Sequence, residues 1–261
     1  MTDTALSLPR DTVNRALGAT LASMALWLSV FLSGFVLFEP APYELFIALL
    51  IGIWTVTGAL TIPRSVMFLL VALLAFNMGG VISITQMADL RSAPLYIASS
   101  IFLALSAVFF ASLIAQQPQR LALIFNAWTA AGILTGLAAI GGYFGVVPDA
   151  AEFTLYGRAK GFFEDPNVFA PYLALPALYT VHTMLTRPFR SLLPTAAAAA
   201  VLFLAIFLSF SRAGWGLLFI SCVALVGALF LHSRSGRFRL RIVVLSIFAF
   251  AAAAAGIIFV L

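Results

Sequence analysis

The sequence predicts an all-α protein, a polytopic bundle of about nine transmembrane helices with its N-terminus inside. Three observations lead there. The chain is 63% hydrophobic and only 9% charged, too little charge to cover the surface of a soluble domain of this length. Apolar runs of about 18 residues or more recur along it, each long enough to span a bilayer. All 14 basic and 9 acidic residues fall between those runs.

The first run, 17–38, follows the polar segment MTDTALSLPRDTVNR, which carries Arg10 and Arg15. It is too long for a signal-peptide core, so it counts as a retained span. Runs 45–62, 65–87 and 93–115 follow, joined by short connections. Run 121–147 is over-long, and Gly141 and Gly142 predict a break or bend near its end, where GGYFGVV meets the interface. A loop of about 20 residues comes next, 148–167, PDAAEFTLYGRAKGFFEDPN. Connections of that length in compact proteins are often functional. Runs 168–186, 192–210 and 213–231 follow, and the last run, 242–261, ends on AGIIFVL with no polar cap. That ending is expected of the N-terminal part of a longer protein. The alanine runs 196–200 and 251–255 suit close helix packing. No internal repeat is evident, and one transmembrane domain covers 1–261.

Charge sets the orientation. With the N-terminus inside, the inner segments hold Arg10, Arg15, Arg64, Arg120, Arg187, Arg190, Arg234, Arg237, Arg239 and Arg241 against Asp3 and Asp11. The outer segments hold Arg91, Arg158, Lys160 and Arg212 against Glu39, Glu44, Asp89, Asp149, Glu152, Glu164 and Asp165. This is the positive-inside pattern. The basic run HSRSGRFRLR (232–241) therefore lies near anionic headgroups, and nucleic acid is not an expected partner. The single Cys222 excludes an internal disulfide and a cysteine metal cluster. His182 and His232 fall toward the inner side, away from any outer site. No Walker loop, dinucleotide fingerprint or zincin motif occurs, and neither a metal nor a cofactor is expected.

Two stretches carry the candidate chemistry. In KGFFEDPNVFAPYLALPAL (160–178), Asn167 reads as an N-cap and Pro171 as a first-turn proline, so the sixth span opens outward with free N–H groups and the positive end of its dipole. Asp165 with Asn167 also fits a simple cap. In SFSRAGWG (209–216), Arg212 stands between two apolar runs, at the outward start of the eighth span and against the positive-inside trend. Small residues surround it: Ser209, Ser211, Ala213 and Gly214. A guanidinium fork beside a helix N-terminus suits phosphate oxygens, whereas an arginine that snorkels to headgroups is the bland alternative. Arg158 and Lys160 add charge from the long loop. Glu164 and Asp165 serve as acid/base groups or as counter-charges to those two.

These two stretches, GFFEDPNVFAPYLALPAL and then LSFSRAGWG about 45 residues later, resemble the O-antigen ligase and O-antigen polymerase superfamily of bacterial inner-membrane proteins. The resemblance covers roughly 140–231. It implies transfer or polymerisation of a glycan from an undecaprenyl-pyrophosphate carrier to an acceptor glycan or lipid, at the periplasmic face and without a metal. It also implies roles: Arg212 as the catalytic contact to pyrophosphate, Arg158 as a second contact and Asn167 as a residue that shapes the site. The position of Lys160, Ser211, Glu164 and Asp165 in the same two stretches makes them candidate substrate-binding residues as well. The family carries a histidine and a second arginine in a large periplasmic loop further along, and no outer histidine occurs here. Competing readings are another polytopic glycosyltransferase using lipid-linked sugars, with Glu39 and Glu44 as first-loop acids, a transporter or flippase, and a structural scaffold.

Overall fold

The computed structural model describes residues 10–38, 40–84, 86, 93–188 and 192–247. Asp3, Glu39, Asp89, Arg91, Arg190 and the run 248–261, with its alanines, lie outside them. The described chain is built from helices: α1 (Arg10–Leu32), α2 (Pro42–Val56), α3 (Arg64–Ile84), α4 (Ala93–Gln116), α5 (Arg120–Tyr143), α6 (Pro166–Thr186), α7 (Leu192–Leu208) and α8 (Arg212–His232). A further helical segment covers 236–247. The first eight expected spans each coincide with one of these helices; the ninth overlaps the described residues only over 242–247.

Among the described residues, six helices are long and apolar enough to cross a membrane: α1 from Thr12, α3, α4 from Pro94, α5, α6 and α8. In lipid the backbone finds no water, so continuous apolar runs close their own hydrogen bonds as helices. The apolar helices α2 and α7 are shorter, at 15 and 17 residues. The run expected over 45–62 stops early because Gly58, at φ 67°, turns the chain out of the helix.

The chain packs as two compact units. One comprises Met1–Ser33 with Phe38–Ala127, the other Gly34–Leu37 with Trp128–Leu261. In the first, α1 packs on α2, α2 on α4, and α3 on α4. The Gln116 Nε2 donates to the Thr61 carbonyl at 2.7 Å and to its hydroxyl at 2.8 Å, which ties the end of α4 to the α2–α3 connection. In the second unit α6 is the central helix and packs on both α7 and α8. Its core includes Phe169, Ala170, Leu173, Ala177, Leu202 and Ile206, all buried.

Charged groups mark both ends of α6. Arg158 bonds Asn167 at its start. At its other end Arg241 donates to the carbonyls of Met184, at 2.7 Å, and Arg187, so a cation satisfies carbonyls that a helix C-terminus leaves open.

Candidate functional site

The long loop is built from successive left-handed turns. α5 keeps helical geometry through Gly141 and Gly142, contrary to the expected bend. It stops instead at Gly145, φ 67°, where Val146 N–H reaches the Gly141 carbonyl at 2.9 Å and Gly145 N–H the Gly142 carbonyl at 3.2 Å, a Schellman cap. The glycine pair serves contact. A Cβ on Gly141 would lie 2.6 Å from Val147 Cγ1, and one on Gly142 would lie 2.5 Å from Phe153 Cβ. Only glycine lets the loop fold back over the last turn.

After a 3-10 turn (Ala150–Phe153) comes a small hairpin, β1 (Thr154–Leu155) and β2 (Arg158–Ala159). Tyr156 and Gly157 join the strands at φ 52° and 73°, the two left-handed residues that a two-residue hairpin turn needs. The chain then dips between helices. Gly161, φ 56°, leaves no room for a Cβ, which would lie 2.5 Å from Thr135 Oγ1. Phe162 N–H donates to that hydroxyl at 3.0 Å, and its carbonyl accepts from Val36 N–H at 2.8 Å. Thr135 lies eight residues before the end of α5, about 12 Å along the axis. Irregular backbone tolerates such depth only when protein satisfies its polar groups, and here both groups of Phe162 are paired.

The loop delivers α6. Its N-cap is Asp165, whose carboxylate accepts from Asn167 N–H at 2.6 Å, and Pro166 is its first residue. Asn167 is therefore inside the first turn and not the cap, and Pro171 sits in the second turn. Proline suits the first helical position because its missing N–H is unpaired there anyway, so Pro166 fixes the start one residue past Asp165.

The second motif forms the α7–α8 corner. Phe210 takes φ 49°. Ser209 Oγ donates to the Ile206 carbonyl at 2.6 Å and accepts from Ser211 N–H at 3.2 Å. Ser211 caps α8 by accepting from Gly214 N–H at 3.2 Å. Trp215 Nε1 donates to the Ile206 carbonyl at 3.0 Å across the corner. A Cβ on Gly214 would lie 2.5 Å from that of Ala170, so glycine is what lets α8 touch α6.

Arg158 joins the two motifs. Its Nε donates to the Ser209 carbonyl at 2.7 Å and its Nη2 to Asn167 Oδ1 at 2.9 Å. One side chain thus ties the hairpin to the start of α6 and the end of α7. Arg212 is the first residue of α8, is exposed, and has no side-chain hydrogen bond or ion pair among the described residues. Exposed Glu164 and half-buried Lys160 also lack side-chain partners among the described residues. The hydroxyl of Ser211 is buried and engaged as a cap, and the half-buried Asp165 also engages its carboxylate as a cap. The arrangement therefore offers a fixed arginine, a free arginine at a helix start, an outward carboxamide and one uncommitted carboxylate.

Sequence reasoning missed Thr135 and the Ser209 carbonyl. Glu44, a candidate first-loop acid, is occupied, since its carboxylate accepts from Ala41 N–H at 3.2 Å at the start of α2. No protein-family model, no curated protein and no solved structure matches this chain.

Proposed function

We propose that the protein transfers or polymerises a glycan, taking it from an undecaprenyl-pyrophosphate carrier and passing it to an acceptor glycan or lipid at the periplasmic face of a bacterial inner membrane. The chain then crosses that membrane nine times with its N-terminus inside. The observation that carries this reading is the Arg158 bridge, because it brings the two motifs of the family resemblance to one end of α6.

In such a transfer an acceptor hydroxyl attacks the anomeric carbon, and the carrier pyrophosphate leaves with the bonding electrons. Negative charge develops on the pyrophosphate, and fixed donors there lower the barrier. Arg212 supplies a planar fork of donors matched to two phosphate oxygens, and the N-terminus of α8 adds its dipole. Arg158 adds charge while its own geometry is held by Ser209 and Asn167. Its fork leaves the Asn167 carboxamide with the N–H groups turned outward, since a guanidinium only donates. Lys160 adjusts to the substrate, and Glu164 is the uncommitted carboxylate for the acceptor proton.

Glycan transfer in membranes, normalised to protein level, tests the reading with Arg212→Lys in the full-length protein. Lysine keeps the charge and loses the fork. A contact made mainly in the transition state is worth about 2.5–4 kcal/mol, so transfer falls by about two to three orders of magnitude. No transfer by the wild type would overturn the reading, and near-wild-type transfer by Arg212→Lys would leave Arg212 as a headgroup anchor, because lysine snorkels as well as arginine does.

A further inference from the structure

The opposite end of α6 carries a second concentration of positive charge. His232 ends α8, Arg234 lies on the turn after it, and Arg237 and Arg239 open the helical segment 236–247; all four are exposed. No Asp or Glu follows Asp165 anywhere in the sequence, so nothing on this part of the chain neutralises them. Arg234 and Arg237 have no side-chain partner among the described residues. Arg239 is held in place: its Nε donates to the Phe230 carbonyl at 3.2 Å, and its guanidinium carbon lies 5.2 Å from the centroid of the Phe230 ring. Its two terminal nitrogens have no partner among the described residues.

Phe230 is also a wall of a cleft. Val226, Gly227, Phe230 and Leu231 of α8 face Ile242, Val243, Ser246 and Ile247 across a space of about 740 Å³, within the range of about 300–1,000 Å³ typical of ligand clefts. The lining is apolar apart from Ser246. A fixed arginine at the lip of an apolar cleft, with two further cations within five residues of it in the sequence, matches one kind of amphipathic molecule. We infer that this cleft binds an anionic phospholipid, with an acyl chain against Gly227 and Ile242 and the phosphate at Arg239, Arg237 and Arg234. The site stands apart from the Arg158 and Arg212 end and does not depend on the proposed glycan transfer.

Native mass spectrometry of the purified full chain tests it, with phosphatidylglycerol and phosphatidylcholine of identical acyl chains. Wild type retains phosphatidylglycerol in preference. Each arginine near a phosphate is worth about fivefold in retention, so Arg237→Gln with Arg239→Gln lowers the preference by about 25-fold and leaves phosphatidylcholine unchanged. Gly227→Leu fills the cleft, because a side chain there meets nothing within 4 Å, and it lowers retention of both lipids. Leucine is a better helix former than glycine. Should either variant fail to accumulate, Arg234→Gln with Arg237→Gln repeats the charge arm and Ser246→Leu repeats the cleft arm. Equal retention of the two lipids by wild type would overturn the inference. So would an unaltered preference in the charge variants, unaltered retention in the cleft variants, or displacement of the lipid by inorganic phosphate alone.

Discussion

Arg158 donates in two directions from one rigid plane, to Ser209 and to Asn167. Lysine is a point donor without the planar fork whose separate nitrogens reach Ser209 and Asn167, so Arg158→Lys leaves a carbonyl or a carboxamide unpaired. The expected cost is about 1–3 kcal/mol, read as a lower thermal midpoint in detergent. Asn167→Asp separates support from binding. The carboxylate still accepts from Arg158, so the midpoint holds or rises, yet the outward N–H donors are gone and binding of a pyrophosphate weakens. Gly214→Ala tests the contact of α6 with α8. Its Cβ would come within 2.5 Å of the Ala170 Cβ, and overpacking of this kind costs about 1–3 kcal/mol. Ala170→Gly in the same chain should recover part of that loss, which a general helix effect at position 214 would not do.

The loop between α5 and α6 is the element on which the site depends, and its hairpin carries a strained residue. Tyr156 sits at φ 52° and is 93% exposed. A bulky side chain pays about 1–2 kcal/mol for that conformation, whereas asparagine adopts it readily. Tyr156→Asn should therefore raise the thermal midpoint, and an unchanged midpoint would mean the turn relaxes at no cost. The helices around this loop were legible because a continuous apolar run has one solution in lipid. The start of α6 is written in Pro166 rather than in Asn167: proline at the first helical position makes the preceding Asp165 the cap. The depth of the loop was not legible. Thr135 reads as an ordinary residue of an apolar helix, and Val36, which closes the Phe162 carbonyl, lies far away in sequence. Nor could the Ser209 carbonyl be foreseen as the partner of Arg158, since every residue has such an acceptor. Gly141 and Gly142 misled because glycine in a helix marks either a bend or a close contact, and only the packing of Val147 and Phe153 decides between them.

Across the molecule, the expected topology assigns Arg158 and Arg212 to one membrane face and the basic turn after α8 to the other. In the structure the Arg158 bridge lies at the start of α6 and the Arg241 contacts at its end. Cysteine labelling makes the membrane placement testable. In a Cys222→Ser background, which removes the single native thiol, Tyr156→Cys should react with a membrane-impermeant maleimide in intact cells. Ser235→Cys should react only after permeabilisation. The reverse pattern would place the site on the cytoplasmic face and end the proposed glycan transfer from a periplasmic carrier. The central claim, that Arg212 and the α8 start hold a lipid pyrophosphate, is tested most directly by binding. Undecaprenyl pyrophosphate and undecaprenol are each titrated into the purified chain and its Arg212→Gln variant. The wild type should prefer the pyrophosphate, and the variant should lose about 1.5–3 kcal/mol of its affinity, roughly ten- to a hundredfold, with its thermal midpoint unchanged. Equal affinity of wild type and variant for the pyrophosphate would contradict the account.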